Sequence, residues 1–179
     1  AYYRIKNNPD YFSVRMQKQP PIPQGSEALG FVYGNAEGNT TLTFVSNPYC
    51  KHCAEAHAEL ETLMPAYQDL NVRMLFPTRN RSDKKTARAV KHIMAIAQSE
   101  DPKLLEAALH EWFSKNDYEA LAARYPKSPA ELDAQGPKLE AMHNWCVQAG
   151  ISHTPAFYLN GIRVPEDYSV KEILRVTER

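Results

Sequence analysis

The chain has 179 residues, 43% of them hydrophobic, and its 21 Lys and Arg residues balance 21 Asp and Glu residues. This length suits one domain of ordinary size, or a small core that carries an insertion. A net charge of zero with both signs interspersed argues against a protein that binds nucleic acid or anionic lipid, because that binding needs surplus basic side chains.

The sequence shows no segment for membrane insertion or export. No apolar stretch approaches the ~20 residues that a membrane-spanning helix needs, and the first residues, Ala1 to Lys6, lack the apolar core of a signal peptide. Because the chain starts at Ala1 instead of a methionine, we expect a mature form or a piece of a longer protein.

The first part of the chain predicts a short helix and an extended linker. Asn8 is a suitable N-cap, and Pro9 fits the first helical position. The run QPPIPQ at 19–24 ends that helix and favours a stiff, extended backbone. We therefore divide the chain into a helix and Pro-rich linker at 1–27 and a main domain at 28–179.

The main domain begins with a strand, helix and strand pattern. Two strand-like runs, at 29–33 and 41–46, are separated by a turn-prone stretch that predicts a hairpin or a loop between neighbouring strands. Helical composition follows from about Cys50 to Met64. Alternating apolar residues at 72–76 then predict a strand that pairs in parallel with the run at 41–46.

A helical insertion is predicted at about 80–150, where no strand pattern occurs. Its first helix spans 83–98, and Asp101 before Pro102 caps a second helix that extends through Trp112 and Phe113. Ser128 with Glu131 opens a third region. Gly136 and Pro137 precede a last helix to about Ala149.

The end of the chain returns to strand patterns. A strand at 156–159 is followed by Asn160-Gly161, a strong hairpin signal, and by a return strand at 162–164. Ser169 and Glu172 form a capping box for a terminal helix. The predicted order is β-α-β, helical insertion, β-β-α, which is an α/β fold with a short N-terminal extension.

Chemistry is concentrated in a C-x-x-C pair. Of the three cysteines, Cys50 and Cys53 form this pair and Cys146 stands alone, which is too few for a disulfide scaffold. Cys50 lies at the predicted N-terminus of a helix, where free amides stabilise a thiolate. With help from Lys51 and His52, we expect a pKa of about 5.5 to 7.5 for Cys50.

This position predicts different roles for the two thiols. Cys50 is the expected nucleophile, because the thiolate is the reactive species. Cys53 lies one turn further along the helix, on its core-facing side, so it should be less exposed and should keep a higher pKa. Such a thiol suits the resolution of a mixed disulfide, and this chemistry needs neither a bound cofactor nor a metal.

The alternative is a non-catalytic module that binds metal or peptide. A C-x-x-C pair can also supply two of the four ligands of a structural zinc ion, and His52 and His57 are near this pair in sequence. Four ligands would require recruitment of Cys146 and His153 from far along the chain. We regard this class as the second choice.

Thr154-Pro155 is the second candidate element of a site. A proline that opens a strand just before a hairpin is compatible with a cis bond, and the backbone before it can lie exposed for pairing with an extended peptide. On its own the pattern is weak evidence, because most X-Pro bonds in folded proteins are trans and such a proline is ordinarily an edge-strand residue. Together with the C-x-x-C pair, it predicts a substrate-binding role for Thr154 and Pro155.

These motifs resemble the thioredoxin superfamily, within it the DsbA-like branch, over roughly 29–176. The resemblance is carried by NPYCKHCA at 47–54, His57, TPAF at 154–157, Asn160-Gly161 and Pro165, and it is greatest to the thioredoxin-like domain fused to membrane vitamin K epoxide reductase homologues. It implies a thioredoxin-like fold and an extracytoplasmic thiol-disulfide oxidoreductase. It also implies protein substrates, a quinone-using membrane oxidase as partner, and Pro155 as a cis-proline facing Cys50.

One feature differs from those fused domains, which commonly have Gly-Pro between the cysteines. This chain has Lys51-His52 instead. In having a histidine immediately before the second cysteine, it resembles oxidising DsbA-like proteins. The direction of electron flow is therefore open.

Other candidates have ordinary structural interpretations. His57 can be a proton shuttle but is more typical of a packed histidine, and Cys146 is more typical of a small buried hydrophobe than of a regulatory or metal-binding thiol. Aromatic side chains in the insertion can line a peptide-binding surface but more often form core, namely Trp112, Phe113, Tyr118 and Tyr125. The basic residues at 79–85 are interpreted as a solvated loop.

Overall fold

The computed structural model describes residues 1–80 and 84–178. Its centre is a five-stranded sheet in the spatial order β1-β3-β2-β4-β5. The strands are β1 (Phe31–Gly34), β2 (Thr40–Val45), β3 (Leu70–Leu75), β4 (Ala156–Leu159) and β5 (Ile162–Arg163). β2 and β3 pair in parallel, as predicted, and the other neighbours are antiparallel.

Helices cover the sheet and form the insertion. They are α1 (Tyr2–Lys6), α2 (Pro9–Gln17), α3 (Lys51–Leu63), α4 (Lys84–Ser99), α5 (Pro102–Lys115), α6 (Tyr118–Arg124), α7 (Pro129–Asp133), α8 (Gly136–Gln148) and α9 (Val170–Arg175), with single 3-10 turns at Ser26–Ala28 and Met64–Ala66. None of the helices described is long and apolar enough to cross a lipid bilayer. The order of elements matches the predicted β-α-β, helical insertion and β-β-α.

The predicted pairing of the first two strands is wrong. β3 lies between β1 and β2, and β1 pairs with β3. The connecting loop bonds to the start of β3 instead of closing a hairpin: the Asn35 amide donates to the Leu70 carbonyl at 2.9 Å, and the Thr40 amide donates to Asp69 at 3.2 Å. Gly38 crosses so close to Asp69 that a Cβ there would lie 2.1 Å from its carbonyl oxygen.

Most helix boundaries follow the capping residues found in the sequence. The predicted caps accept backbone hydrogen bonds in the structure, namely Asn8, Asp101, Ser128 and Ser169. Two helices were not predicted, α1 and α6, and α6 has its own N-cap in Asp117. The predicted start of the first insertion helix at Asp83, and Arg81 of the adjacent basic loop, lie outside the described residues.

Alternation along the strands divides the core between the two faces of the sheet. In β2, Phe44 belongs to the larger cluster, which joins α3, α4, α5 and α9, and it stacks on Phe157 with 4.8 Å between ring centroids. Val45 belongs to the smaller cluster, where it packs with Trp145 and Cys146 of α8. The sheet is therefore covered on both faces, and α3 begins just beyond the carboxyl end of β2.

The N-terminal residues pack against the end of the chain and the sheet edge. Phe12 of α2 packs edge-to-face on Tyr168, with 4.9 Å between ring centroids. Lys6 of α1 pairs with Glu172 of α9 at 2.9 Å. The linker runs antiparallel beside β5, where the Ile22 amide donates to the Gly161 carbonyl at 2.6 Å.

Candidate active site

Cys50 is the N-cap of α3. Its backbone is extended, with φ −86° and ψ 123°, and the helix starts at the next residue. The Cys53 amide donates to the Cys50 sulfur at 3.3 Å. Cys50 therefore occupies the position where an oxygen side chain usually satisfies the first amides of a helix, and its sulfur takes that role.

The turn from β2 into α3 is held by Asn47. Its side-chain Oδ1 accepts from the Tyr49 amide at 2.9 Å, and its carbonyl accepts from the Cys50 amide at 3.2 Å. The Asn47 amide also donates to the Cys53 sulfur at 3.4 Å. Both sulfurs of the pair thus receive a backbone hydrogen bond.

The two thiols have opposite electrostatic environments. Partial burial by itself raises the pKa of Cys50, but hydrogen bonds from the Cys53 side chain and amide and from the His52 amide outweigh it, so the pKa is lowered. Cys53 is fully buried, and burial, followed by its hydrogen bond to Cys50, raises the pKa of Cys53 to about 11. These directions agree with the roles expected from the sequence.

The side chains between the two cysteines face solvent. Lys51 is exposed, and the His52 side chain is 78% exposed, with its Nδ1 3.3 Å from a carboxylate oxygen of Glu55. His52 acts on Cys50 through its backbone amide in this structure. A charge effect of the Lys51 and His52 side chains on the thiolate stays a prediction.

The loop before β4 lies against the cysteine pair. The Cys50 thiol is 3.7 Å from the Thr154 carbonyl oxygen and donates to it, although 104 positions separate the two residues. The Thr154-Pro155 peptide bond is cis. The structure therefore brings together the two segments that the sequence marked as a site.

A contact from the insertion to this site was not predicted. Trp112 of α5 is fully buried, and its Nε1 donates to the Pro48 carbonyl at 2.9 Å. Asn116, which ends α5, lies beside the same carbonyl, and with its side-chain amide assigned to satisfy its neighbours the amide nitrogen donates to Pro48 at 3.1 Å. The Tyr49 ring packs edge-to-face on Trp112 at 5.3 Å. The apolar face of α5 indicated core in the sequence, but no local pattern reveals a partner 64 positions away.

His57 and Cys146 are buried away from solvent. His57 stacks on Phe113 with 4.6 Å between ring centroids, and burial, with a smaller effect of His110, lowers the pKa of His57 to about 4. Burial raises the pKa of Cys146 to about 12. Both environments fit the packed interpretation of these residues.

The arrangement does not favour a metal centre. Within residues 1–80 and 84–178, no cluster of three or more His, Cys, Asp or Glu side chains could hold a metal ion. His153 instead pairs with Glu166 at 3.0 Å and hydrogen-bonds Ser152 at 3.1 Å.

Comparison with known proteins places this geometry in a family. The family model described as thioredoxin matches residues 27–179. The chain belongs to the thioredoxin family. A search of curated proteins found no match.

Solved structures give the same fold. Similar structures include BdbD from Bacillus subtilis in its oxidised form, with 14% identity over 89% of this chain and 95% of that one and a TM-score of 0.68. ScsC from Proteus mirabilis in a compact conformation has 18% identity over 93% and 85% and a TM-score of 0.71. A periplasmic thioredoxin-like protein from Salmonella enterica serovar Typhimurium has 15% identity over 88% and 91% and a TM-score of 0.70. These likenesses confirm the thioredoxin-like fold.

Proposed function

We propose that this protein is a thiol-disulfide oxidoreductase that acts on protein thiols and disulfides, with Cys50 as the nucleophile and Cys53 as the resolving thiol. The observation that carries the proposal is the position of the Cys50 sulfur. It caps α3, accepts the Cys53 amide at 3.3 Å and lies 3.7 Å from the Thr154 carbonyl. A stabilised sulfur beside a partly exposed loop is suited to attack on a peptide disulfide.

The reaction has two exchange steps. The Cys50 thiolate attacks one sulfur of a substrate disulfide, which forms a mixed disulfide and releases the other substrate sulfur as a thiolate. The Cys53 thiol then gives its proton to the first released substrate thiolate and attacks the Cys50 sulfur. The Cys50–Cys53 disulfide forms, the mixed disulfide breaks, and the second substrate sulfur leaves as a thiolate. In reverse, the same steps oxidise two substrate thiols and reduce the enzyme.

We assign substrate positioning to Thr154 and Pro155. The Thr154 carbonyl faces the Cys50 sulfur, so a substrate peptide that pairs with this backbone places its cysteine within reach of the nucleophile. Lys51 and His52 are proposed to tune the thiolate, since both lie in the first turn of α3, directly after Cys50, where cationic side chains favour an anion on its sulfur.

The direction of disulfide transfer depends on how stable the reduced, dithiol form of the Cys50–Cys53 pair is relative to its disulfide form. Hydrogen bonds that stabilise the Cys50 thiolate make the disulfide more oxidising, by about 30 mV for each 1.4 kcal/mol. We propose an oxidising role on this basis. Equilibration with a glutathione buffer tests it, since an oxidant should lie near DsbA, about −120 mV, and a reductase near thioredoxin, about −270 mV.

We further propose an extracytoplasmic location and coupling to a membrane oxidase of the vitamin K epoxide reductase type. The support is the sequence resemblance at 47–54 and 160–161, together with the periplasmic source of one similar structure. Reoxidation of the reduced protein by such an oxidase with quinone, in reconstituted membranes, is the direct test. Failure of that reaction would contradict the proposed membrane-oxidase partner but would leave the proposed thiol-disulfide exchange by Cys50 and Cys53 unaffected.

The exchange mechanism predicts which variant accumulates an intermediate. Cys53→Ala removes the resolving thiol, so it should hold a substrate peptide as a mixed disulfide at Cys50, whereas Cys50→Ala should form none. Mass spectrometry after incubation with a peptide disulfide measures this. Cys146→Ala is the matched control and should turn over like the unaltered protein. Equal trapping by the Cys50→Ala and Cys53→Ala variants would rule out the assigned roles.

The alternative is a module that binds metal or peptide without catalysis. Stoichiometric zinc by elemental analysis, together with no turnover of either insulin disulfides or a reduced test protein, would favour that class instead.

A further inference from the structure

A cavity of about 920 Å³ lies beside the C-terminal half of α3, further along the helix than the cysteine pair. It is bounded by α3, α5, the end of β1 and the start of β3, and its lining residues include neither cysteine of the pair nor Thr154. Small-molecule sites commonly measure ~300 to 1,000 Å³. We infer that this cavity binds a small organic cation, namely an amine or guanidinium head on an apolar stem.

Two buried polar atoms of the lining have no hydrogen-bond partner among the described residues. One is the hydroxyl of Tyr33, whose residue is 5% exposed, and the other is Oε2 of Glu111, whose residue is 9% exposed. Arg124 forms a loose ion pair with that carboxylate, since its Nε lies 3.8 Å from Oε2, beyond hydrogen-bond distance. Native proteins rarely leave such groups unpaired, so their presence at one cavity indicates a missing donor.

The chemistry of these atoms selects a cation over an anion. A carboxylate oxygen only accepts hydrogen bonds, while a tyrosine hydroxyl can donate or accept. A ligand with N–H donors can therefore satisfy both Tyr33 and Glu111. An anionic ligand could satisfy Tyr33 but would be repelled by the Glu111 carboxylate.

The local charges support the same choice. Burial raises the pKa of Tyr33 strongly, and the negative charges of Glu106 and Glu61 raise it further, so the field at its hydroxyl is negative. Both glutamates also line the cavity. A positive head placed beside Tyr33 would experience a favourable field from these carboxylates.

Three basic side chains also line the cavity, and of these Arg124 offsets part of the Glu111 charge from 3.8 Å. Lys103, Lys115 and Arg124 are exposed, so water and salt screen their charges. His110 is 65% exposed and already pairs with Glu61 at 2.6 Å. Apolar lining by Met64, Leu70 and Leu109 provides contact for the stem of the ligand. The unpaired acceptors of the cavity therefore belong to buried residues, and its cations belong to exposed ones.

The test uses n-butylguanidinium as the probe and the whole chain in low salt, with binding followed by ¹H–¹⁵N NMR titration. The neutral isostere n-butylurea and the anion butyrate serve as matched ligands. We expect saturable shifts at cavity residues with the guanidinium and binding at least about tenfold weaker for the urea and the carboxylate, as loss of a charge-assisted hydrogen bond requires.

Variants of the chain test the named atoms. Glu111→Gln keeps the shape but removes the charge and should weaken guanidinium binding about tenfold. Tyr33→Phe removes the hydroxyl and should weaken it by a smaller factor. Glu27→Gln is the control, an exposed glutamate outside the cavity lining, and should bind unchanged. Cys50→Ser should also bind unchanged, which separates this site from the exchange chemistry.

Equal affinity for butylguanidinium and butylurea, preference for butyrate, or absence of saturable shifts at the cavity would each overturn the inference. If a variant does not fold, as shown by circular dichroism, the comparison of the three ligands on the unaltered chain still decides the matter.

Discussion

Cys50 shows how one backbone position sets the chemistry of a side chain. An N-cap side chain faces amides that have no partner within the helix, and serine, threonine, aspartate and asparagine usually fill that place. Here the cap is a thiol. The hydrogen bond that its sulfur accepts from the Cys53 amide is stronger when the sulfur is charged. The same contact that begins α3 therefore favours the reactive thiolate.

Alkylation kinetics test this directly. Reduced protein should contain one thiol whose rate of reaction with iodoacetamide titrates below the ordinary cysteine pKa of ~8.5. Cys53 and Cys146 should react slowly, because burial raises the pKa of both thiols. Cys50→Ser should abolish the fast reaction, and Cys146→Ser should not change it. Equal, slow reaction at all three cysteines would contradict the proposed mechanism.

The sequence predicted the order of the two thiol pKa values, because a C-x-x-C after a strand places one thiol at a helix start and the other one turn inside. It could not predict which groups stabilise the thiolate. The charges of the neighbouring Lys51 and His52 side chains suggested that they stabilise it. In the structure the His52 side chain lies against Glu55, at 3.3 Å, and it is the His52 backbone amide that hydrogen-bonds Cys50. Side-chain direction depends on packing that local sequence does not contain.

At the scale of elements, α5 of the insertion supports the turn that carries the nucleophile. Trp112 and Asn116 both donate to the Pro48 carbonyl, two residues before Cys50. A buried carbonyl with two donors is held in one orientation, and the Asn47 to Cys50 turn is held with it. The insertion therefore enlarges the core and also fixes the turn that carries Cys50.

Removal of one donor should disturb the thiol. Trp112→Phe keeps an aromatic ring but loses the Nε1 donor, so it should lower the free energy of unfolding by about 1 to 3 kcal/mol. It should also slow Cys50 alkylation at pH 6 several-fold, because a looser turn caps the helix less well. Trp145→Phe is the matched control, since Trp145 donates to Pro23 and Gln24 in the linker.

The two measurements together separate positioning from general stability. Both variants should lose stability, because each loses an indole hydrogen bond, but only Trp112→Phe should alter the pH profile of Cys50. Identical alkylation profiles for the two variants would show that α5 has no positioning role.

Elements were predictable where capping residues and periodicity agreed, as in α2, α5 and α9. The spatial order of the strands was less predictable, because an alternating pattern shows that a segment is a strand but not which other strand it pairs with. The stretch at 34–40 has hairpin-like composition, but its amides bond to the start of β3, and a later strand thus enters between the first two. The helix α6 was missed because its seven residues are too few to show a clear period.

At the scale of the whole molecule, buried histidines make stability depend on pH. His57 is neutral when folded, with a pKa of about 4, set first by burial. A histidine in the unfolded chain takes up a proton near pH 6.5. Its folded pKa is depressed, so its contribution is complete above pH 6.5 and is lost as pH falls from 6.5 towards 4. Burial lowers the pKa of His92 as well, so both act in the same direction.

Urea unfolding at pH 7 and pH 4.5 measures this effect. The His57 contribution alone should lower the free energy of unfolding by about 2 kcal/mol between these values. His57→Phe keeps a ring to stack on Phe113 and should reduce the loss by that amount, leaving the part due to His92. The carboxylate of Asp167, with a pKa of about 2 caused first by its hydrogen bond from Arg15, titrates below this window. An unchanged loss in His57→Phe would contradict the assignment.

The linker at 20–24 also decides where the sheet stops growing. The Arg163 amide donates to the Pro20 carbonyl at 3.1 Å and the Ile22 amide donates to Gly161, so this segment occupies the open side of β5. Three of its residues are prolines, which have no N–H to offer a further strand. A polypeptide arriving from solvent therefore meets a backbone that cannot extend the ladder. Without that segment, β5 would be a bare template for pairing between chains, the kind of edge that leads to aggregation.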